Sequence, residues 1–124
     1  MEIRQKIGLE KHQELKHRTK QFALRIIRMS QALPQNREAN VISSQILRSA
    51  TSVAANYRAV GRARSKAEFV SKLGVVIEEA DETIFWLELL AEAGIVKPQR
   101  LKELLDEANQ LLAIFSAARS TAKS

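Results

Sequence analysis

Apolar residues recur at intervals of three and four along almost the whole chain, with no sustained alternation of twos, and only four glycines and two prolines interrupt its 124 residues. That spacing gathers apolar side chains on one face of a helix of 3.6 residues per turn and argues against half-buried strands. The pattern predicts four helices. The first covers about 11–33, with Leu15, Phe22, Ile26, Met29 and Leu33 on one stripe, and ends ahead of Pro34, whose ring disfavours a helical residue before it. The second covers about 38–61, repeating Ile42, Ile46, Ala50, Val53, Tyr57 and Val60 up to Gly61. Ser65 followed by Glu68 fits a capping box and opens a third helix over about 66–93, with a stop at Gly94. Pro98 suits the first turn of a fourth, about 98–117, where its missing N–H has no partner to lose. Amphipathic helices with short connections predict an all-α fold, an antiparallel up-down four-helix bundle forming one domain, with a frayed tail over 116–124.

No apolar run approaches the roughly 18 residues of a membrane span, and the N-terminal residues are too charged for a secretory signal. A cytoplasmic protein without membrane contact is expected. The absence of cysteine excludes disulfides and thiolate chemistry. Charge is unevenly distributed. Residues 1–66 carry 14 basic and 4 acidic side chains, net +10, whereas residues 67–124 carry 6 basic and 10 acidic, net −4. Such a division suits a polyanionic partner, or pairing of the two halves within or between subunits.

On the second helix Ser44, Arg48, Thr51, Ala55, Arg58 and Arg62 share a stripe nearly opposite the apolar one, and Arg64 and Lys66 continue it into the loop. Guanidinium groups among small side chains let a phosphate backbone come close, so Arg58, Arg62, Arg64 and Lys66 are candidate nucleic-acid contacts. The plainer alternative is a solvated charged surface, with Arg48 paired to carboxylates of the third helix. Tyr57 lies on the apolar stripe and is expected to be buried, so binding would be driven by phosphates and weakly sequence-specific.

Phe85 and Leu89 sit four residues apart on the side of the third helix away from its apolar stripe, with Trp86 at the flank and Glu78, Glu82 and Glu92 around them. An aromatic and a leucine at helical spacing on an acidic face predict a subunit contact. Asn56 and Glu79 stand at the edges of their apolar stripes, where a mostly buried polar group needs a partner, and are expected to join Arg48 in one hydrogen-bonded network. Glu14 and His17 make a single Glu-x-x-His, half of a carboxylate-bridged di-metal site. His12, five positions from His17, points about 140° away from it, so neither a metal nor any other cofactor is expected. No phosphate loop or nucleophile elbow supports an enzyme.

Residues 30–94 carry a further pattern: Leu33 and Pro34, Gln45, the run RSATSVAAN at 48–56, then Ser65, Glu68, Phe69, Lys72 and Leu73, and finally Glu79, Ala80, Glu82, Thr83, Trp86 and Leu87. In this order the stretch resembles the S23-type proteins encoded by intervening sequences in bacterial 23S rRNA genes. The resemblance implies an antiparallel four-helix bundle assembling into a ring-like homopentamer. It also implies kinship with the accessory variability proteins of diversity-generating retroelements, basic bundles that bind nucleic acid and a reverse transcriptase. The expectation is a non-enzymatic homo-oligomer that binds structured RNA or another nucleic acid. The alternative is a scaffold whose basic half meets a protein partner or the acidic half of a neighbouring subunit.

Overall fold

The computed structural model describes residues 8–124. Four helices follow one another: α1 (Leu9–Gln31), α2 (Arg37–Val60), α3 (Lys66–Glu92) and α4 (Pro98–Lys123). Their ends obey local chemistry. The Asn36 side chain accepts from the Ala39 N–H at 2.9 Å to cap α2, and Ser65 accepts from the Glu68 N–H at 3.0 Å to cap α3. α3 closes on Gly94 at φ +73°, with the Ile95 N–H on the Leu90 carbonyl (3.0 Å) and the Gly94 N–H on that of Ala91 (3.1 Å). Those paired bonds make a Schellman closure, in which glycine takes the left-handed position at little cost.

Gly61 ends α2 for a different reason. Its φ of −63° is open to any residue, but a Cβ there would lie 2.5 Å from Nε2 of His12, so the glycine makes room for a histidine of α1. His12 is buried, and its Nδ1 lies 3.2 Å from the Tyr57 hydroxyl. At the other end of the same pair of helices the Ser30 and Ser43 hydroxyls are hydrogen-bonded. α1 and α2 are therefore antiparallel. Arg18 on Glu107 and Arg25 near Glu103 run α1 antiparallel to α4, and Ser49 on Thr83 pins α2 to α3. The result is an up-down bundle around Phe22, Ile26, Ile46, Tyr57, Phe69, Leu73, Leu87 and Phe115.

Two expectations are corrected here. The tail is helical to Lys123 and not frayed: Ala122 is only 2% exposed, and the Arg119 Nε donates to the Val70 carbonyl at 3.0 Å, fastening the last turns of α4 to α3. α1 runs Leu9–Gln31 and so lies about two residues earlier than its pattern suggests, although Leu33 beyond its end is still buried.

Candidate functional site

Positions 48–58 of α2 present two polar faces, and the structure gives them different neighbours. The face carrying Arg48 meets α3. Its guanidinium donates to Glu79 Oε2 at 3.2 Å, to Glu82 and to Gln45, and Glu82 also accepts from the Trp86 indole N–H at 2.9 Å. Arg48 is thus spent on the α2/α3 seam. Asn56 takes no part in this cluster, which corrects the single network expected of it. Its amide donates to the Ser52 carbonyl at 2.9 Å and to the Ser52 hydroxyl at 2.7 Å, one turn back on its own helix. The buried polar link between α2 and α3 is instead Ser49 with Thr83, both fully buried, with hydroxyls 2.8 Å apart.

The other face meets α1. There Thr51, Ala54, Ala55 and Arg58 form one wall of a groove of about 530 Å³, and Gln13, Lys16, His17, Lys20 and Ala23 form the opposite wall and floor. The groove exists because α2 offers only small side chains between Thr51 and Ala55 while α1 offers long ones at helical spacing. Its lining contains Lys16, Lys20 and Arg58 and no carboxylate. Glu14 of α1 is not among the lining residues and lies 3.9 Å from Arg18.

Arg62, Arg64 and Lys66 do not line the groove; they continue from Arg58 past the end of α2 and are exposed. Lys66 lies 3.5 Å from the Ser124 carbonyl, a weak contact. Among the described residues Lys16, Lys20, Arg58, Arg62 and Arg64 make no ion pair. Sequence reasoning found Arg58 and missed Lys16, His17 and Lys20. Their shared face on α1 was readable from their spacing, but the helix that face would look toward was not.

Other basic side chains meet carboxylates at the α1/α4 and α2/α3 seams, through Arg18 and Arg48. Arg18 grips Glu107 with Nε to Oε2 at 3.0 Å and a second nitrogen to Oε1 at 2.6 Å, and it reaches Gln110 at 3.1 Å. The hydrogen bond to Glu107 raises the Arg18 guanidinium above its ordinary value, against the opposing pull of burial. Among the described residues, Arg18 and Arg48 are therefore engaged at the seams, whereas Lys16, Lys20 and Arg58 of the α1/α2 groove make no ion pair.

Phe85 is 51% exposed, with its ring edge-on to Trp86 at a centroid distance of 4.9 Å. Leu89 and Trp86 are half-buried against the core, so Phe85 alone of the three stands free of it; this corrects the placement of Leu89 wholly on the outer face. Val41 is also exposed. It lies two turns before Arg48, as Leu89 lies two turns after Glu82, so the antiparallel register sets Val41 level with Leu89. Val41 and the Phe85–Trp86 pair thus lie toward the same end of the α2/α3 face.

Among the described residues no three His, Asp or Glu side chains are grouped as metal ligands, and no helix is long and apolar enough to cross a membrane. No curated protein matches the chain. A crystal structure of a protein of unknown function from the S23 ribosomal protein family of Bacteroides thetaiotaomicron superposes with a TM-score of 0.81 at 30% identity, covering 88% of this chain and 97% of that one. Together with the family model for 23S rRNA-intervening sequence proteins, which matches residues 11–117, that likeness bears out the resemblance seen in residues 30–94. The chain belongs to the 23S rRNA-intervening sequence protein family.

Proposed function

We propose that this protein is a non-enzymatic, cytoplasmic binding module that holds structured RNA or another nucleic acid by its phosphates along the α1/α2 groove. The observation that carries the reading is the groove lining: Lys16, Lys20 and Arg58 beside Thr51, Ala54 and Ala55, with no carboxylate among them. Phosphate oxygens need cations and close approach, and this surface supplies both. Arg62 and Arg64 lengthen the same surface. A binding role also fits the acidic residues, since Glu79, Glu82 and Glu107 are engaged by arginines and not set in a cleft as acid or base.

The test is a triple substitution, Lys16→Gln, Lys20→Gln and Arg58→Gln, assayed by fluorescence anisotropy at two salt concentrations. Each lost phosphate contact removes roughly 0.9 from the log–log salt slope on a duplex, so the slope should flatten by about 2.7 and affinity at low salt should fall at least about tenfold. Melting should stay within about 0.5 kcal/mol of the parent, because these side chains contact little. Undetectable binding by the parent at low salt, or a triple variant with the parent's affinity and slope, would favour a scaffold that meets only protein partners.

Self-association has its own support in the apolar area around Phe85. We infer a homo-oligomer closed through this end of the α2/α3 face, for which the family resemblance favours a pentamer. Phe85→Asp together with Val41→Asp should yield a folded protein of lower mass by light scattering. An unchanged mass would place the subunit contact elsewhere.

A further inference from the structure

The sequence contains six aromatic residues, and the structure accounts for every one. Phe22, Tyr57, Phe69 and Phe115 are in the core, with Tyr57 stacked on Phe115 at 5.3 Å between centroids. Phe85 and Trp86 are on α3, and the Trp86 indole is directed to Glu82 at the α2/α3 seam. None lines the α1/α2 groove. Proteins that hold single strands combine a cationic track with aromatic side chains on which the bases stack. This groove has the track, but its one ring is the small imidazole of His17, with no Phe, Tyr or Trp beside it.

That difference selects among nucleic acids. A single strand laid along the groove would lose backbone and base freedom and could stack one base at most, on His17, in return. A base-paired duplex has met that cost beforehand, because its bases already stack on one another and its phosphates face outward. It also offers a denser charge, one for about every 1.7 Å of axis, which matters most to a surface that reads phosphates alone. The shape agrees. Lys16 and Lys20, one turn or about 6 Å apart, stand on one wall and Arg58 on the other, while Thr51, Ala54 and Ala55 leave the space between them low.

Resting on the reading of the groove as a phosphate site, we propose that it takes base-paired nucleic acid in preference to single strands, seating one sugar–phosphate ridge of the duplex between the lysines of α1 and Arg58 of α2. Thr51 refines this picture: its hydroxyl donates to the Leu47 carbonyl at 2.6 Å, so it has no spare proton for a phosphate and leaves those contacts to the cations.

The full chain is titrated by anisotropy against an RNA duplex, a DNA duplex of the same sequence and an unstructured poly(U) strand, matched in phosphate count and salt. Both duplexes should bind at least about tenfold more tightly than poly(U), with steeper salt slopes. The tighter of the two duplexes identifies the source of the ridge. In a second arm, Ala55→Trp places an aromatic platform on the exposed wall of the groove and should raise affinity for poly(U) on the order of tenfold. Poly(U) bound as tightly as either duplex by the parent, or no gain for poly(U) from the tryptophan, overturns the proposal. Absence of salt-dependent binding to all three probes overturns the phosphate reading itself, so the two failures are distinguishable.

Discussion

Arg18 and Lys20 are two residues apart on α1 and meet opposite environments. Arg18 turns toward α4, where a two-pronged hydrogen bond to Glu107 leaves the two side chains 23% and 19% exposed. Lys20 turns toward α2 and stands in a groove with no acidic residue. Two residues correspond to about 200° of helical rotation, enough to carry one cation into a seam and the other to open surface. The same separation occurs on α2, where Arg48 is held by Glu79 and Glu82 while Arg58 faces the groove. A net charge of +6 therefore says little about how much positive surface a ligand meets. What counts is which cations the packing has already neutralised.

This contrast can be broken from the seam side, where the larger effect on stability is expected. Arg18→Met keeps much of the aliphatic packing but leaves the mostly enclosed Glu107 carboxylate without its partner, which should cost about 1 to 3 kcal/mol. The Lys20→Gln change, by comparison, should stay within about 0.5 kcal/mol. Urea melts of the two variants decide the matter, and equal stabilities would show that the seam pair contributes nothing beyond surface charge.

A smaller effect should come from the contact between His12 and Tyr57, which joins the helices α1 and α2. Burial raises the Tyr57 hydroxyl above its ordinary value, since the phenolate would be poorly solvated there. The unfolded chain releases that proton near pH 10 and the folded chain only at higher pH, so the native state binds more protons in between. Stability contributed by the neutral phenol is fully present below about pH 10 and declines as pH rises beyond it. Tyr57→Phe should lose about 1 kcal/mol at neutral pH, the value of one hydrogen bond, and show a shallower alkaline decline. Denaturant melts of both proteins at pH 8 and pH 10.5 provide the comparison; parallel losses would separate the decline from Tyr57.

Much of the fold was legible because its signals are local. The Ser65 to Glu68 cap, Pro98 in the first turn of α4 and the burial of Tyr57 all follow from a residue and its near neighbours along one helix. The errors had a common origin in contacts between helices. Asn56 could be placed at the edge of an apolar stripe, yet the partner within its reach proved to be Ser52 on its own helix. The end of α4 looked too polar and small to hold, but Arg119 reaches the backbone of α3 and Ala122 packs inward. Gly61 looked like a helix stop, and its more specific role depends on His12, forty-nine residues earlier.

Four amphipathic helices, their order, the uneven charge and a family kinship can be read from the residues alone, because periodicity and capping are written three or four positions apart. Which basic side chains are left over follows from how the helices pack. That outcome depends on the rotation of each helix about its axis and on what stands opposite: for Arg18 and Arg48 a carboxylate of α4 or α3, and for Lys16, Lys20 and Arg58 one another across a floor of small side chains. Like charges facing each other across a shallow groove do not stabilise the fold.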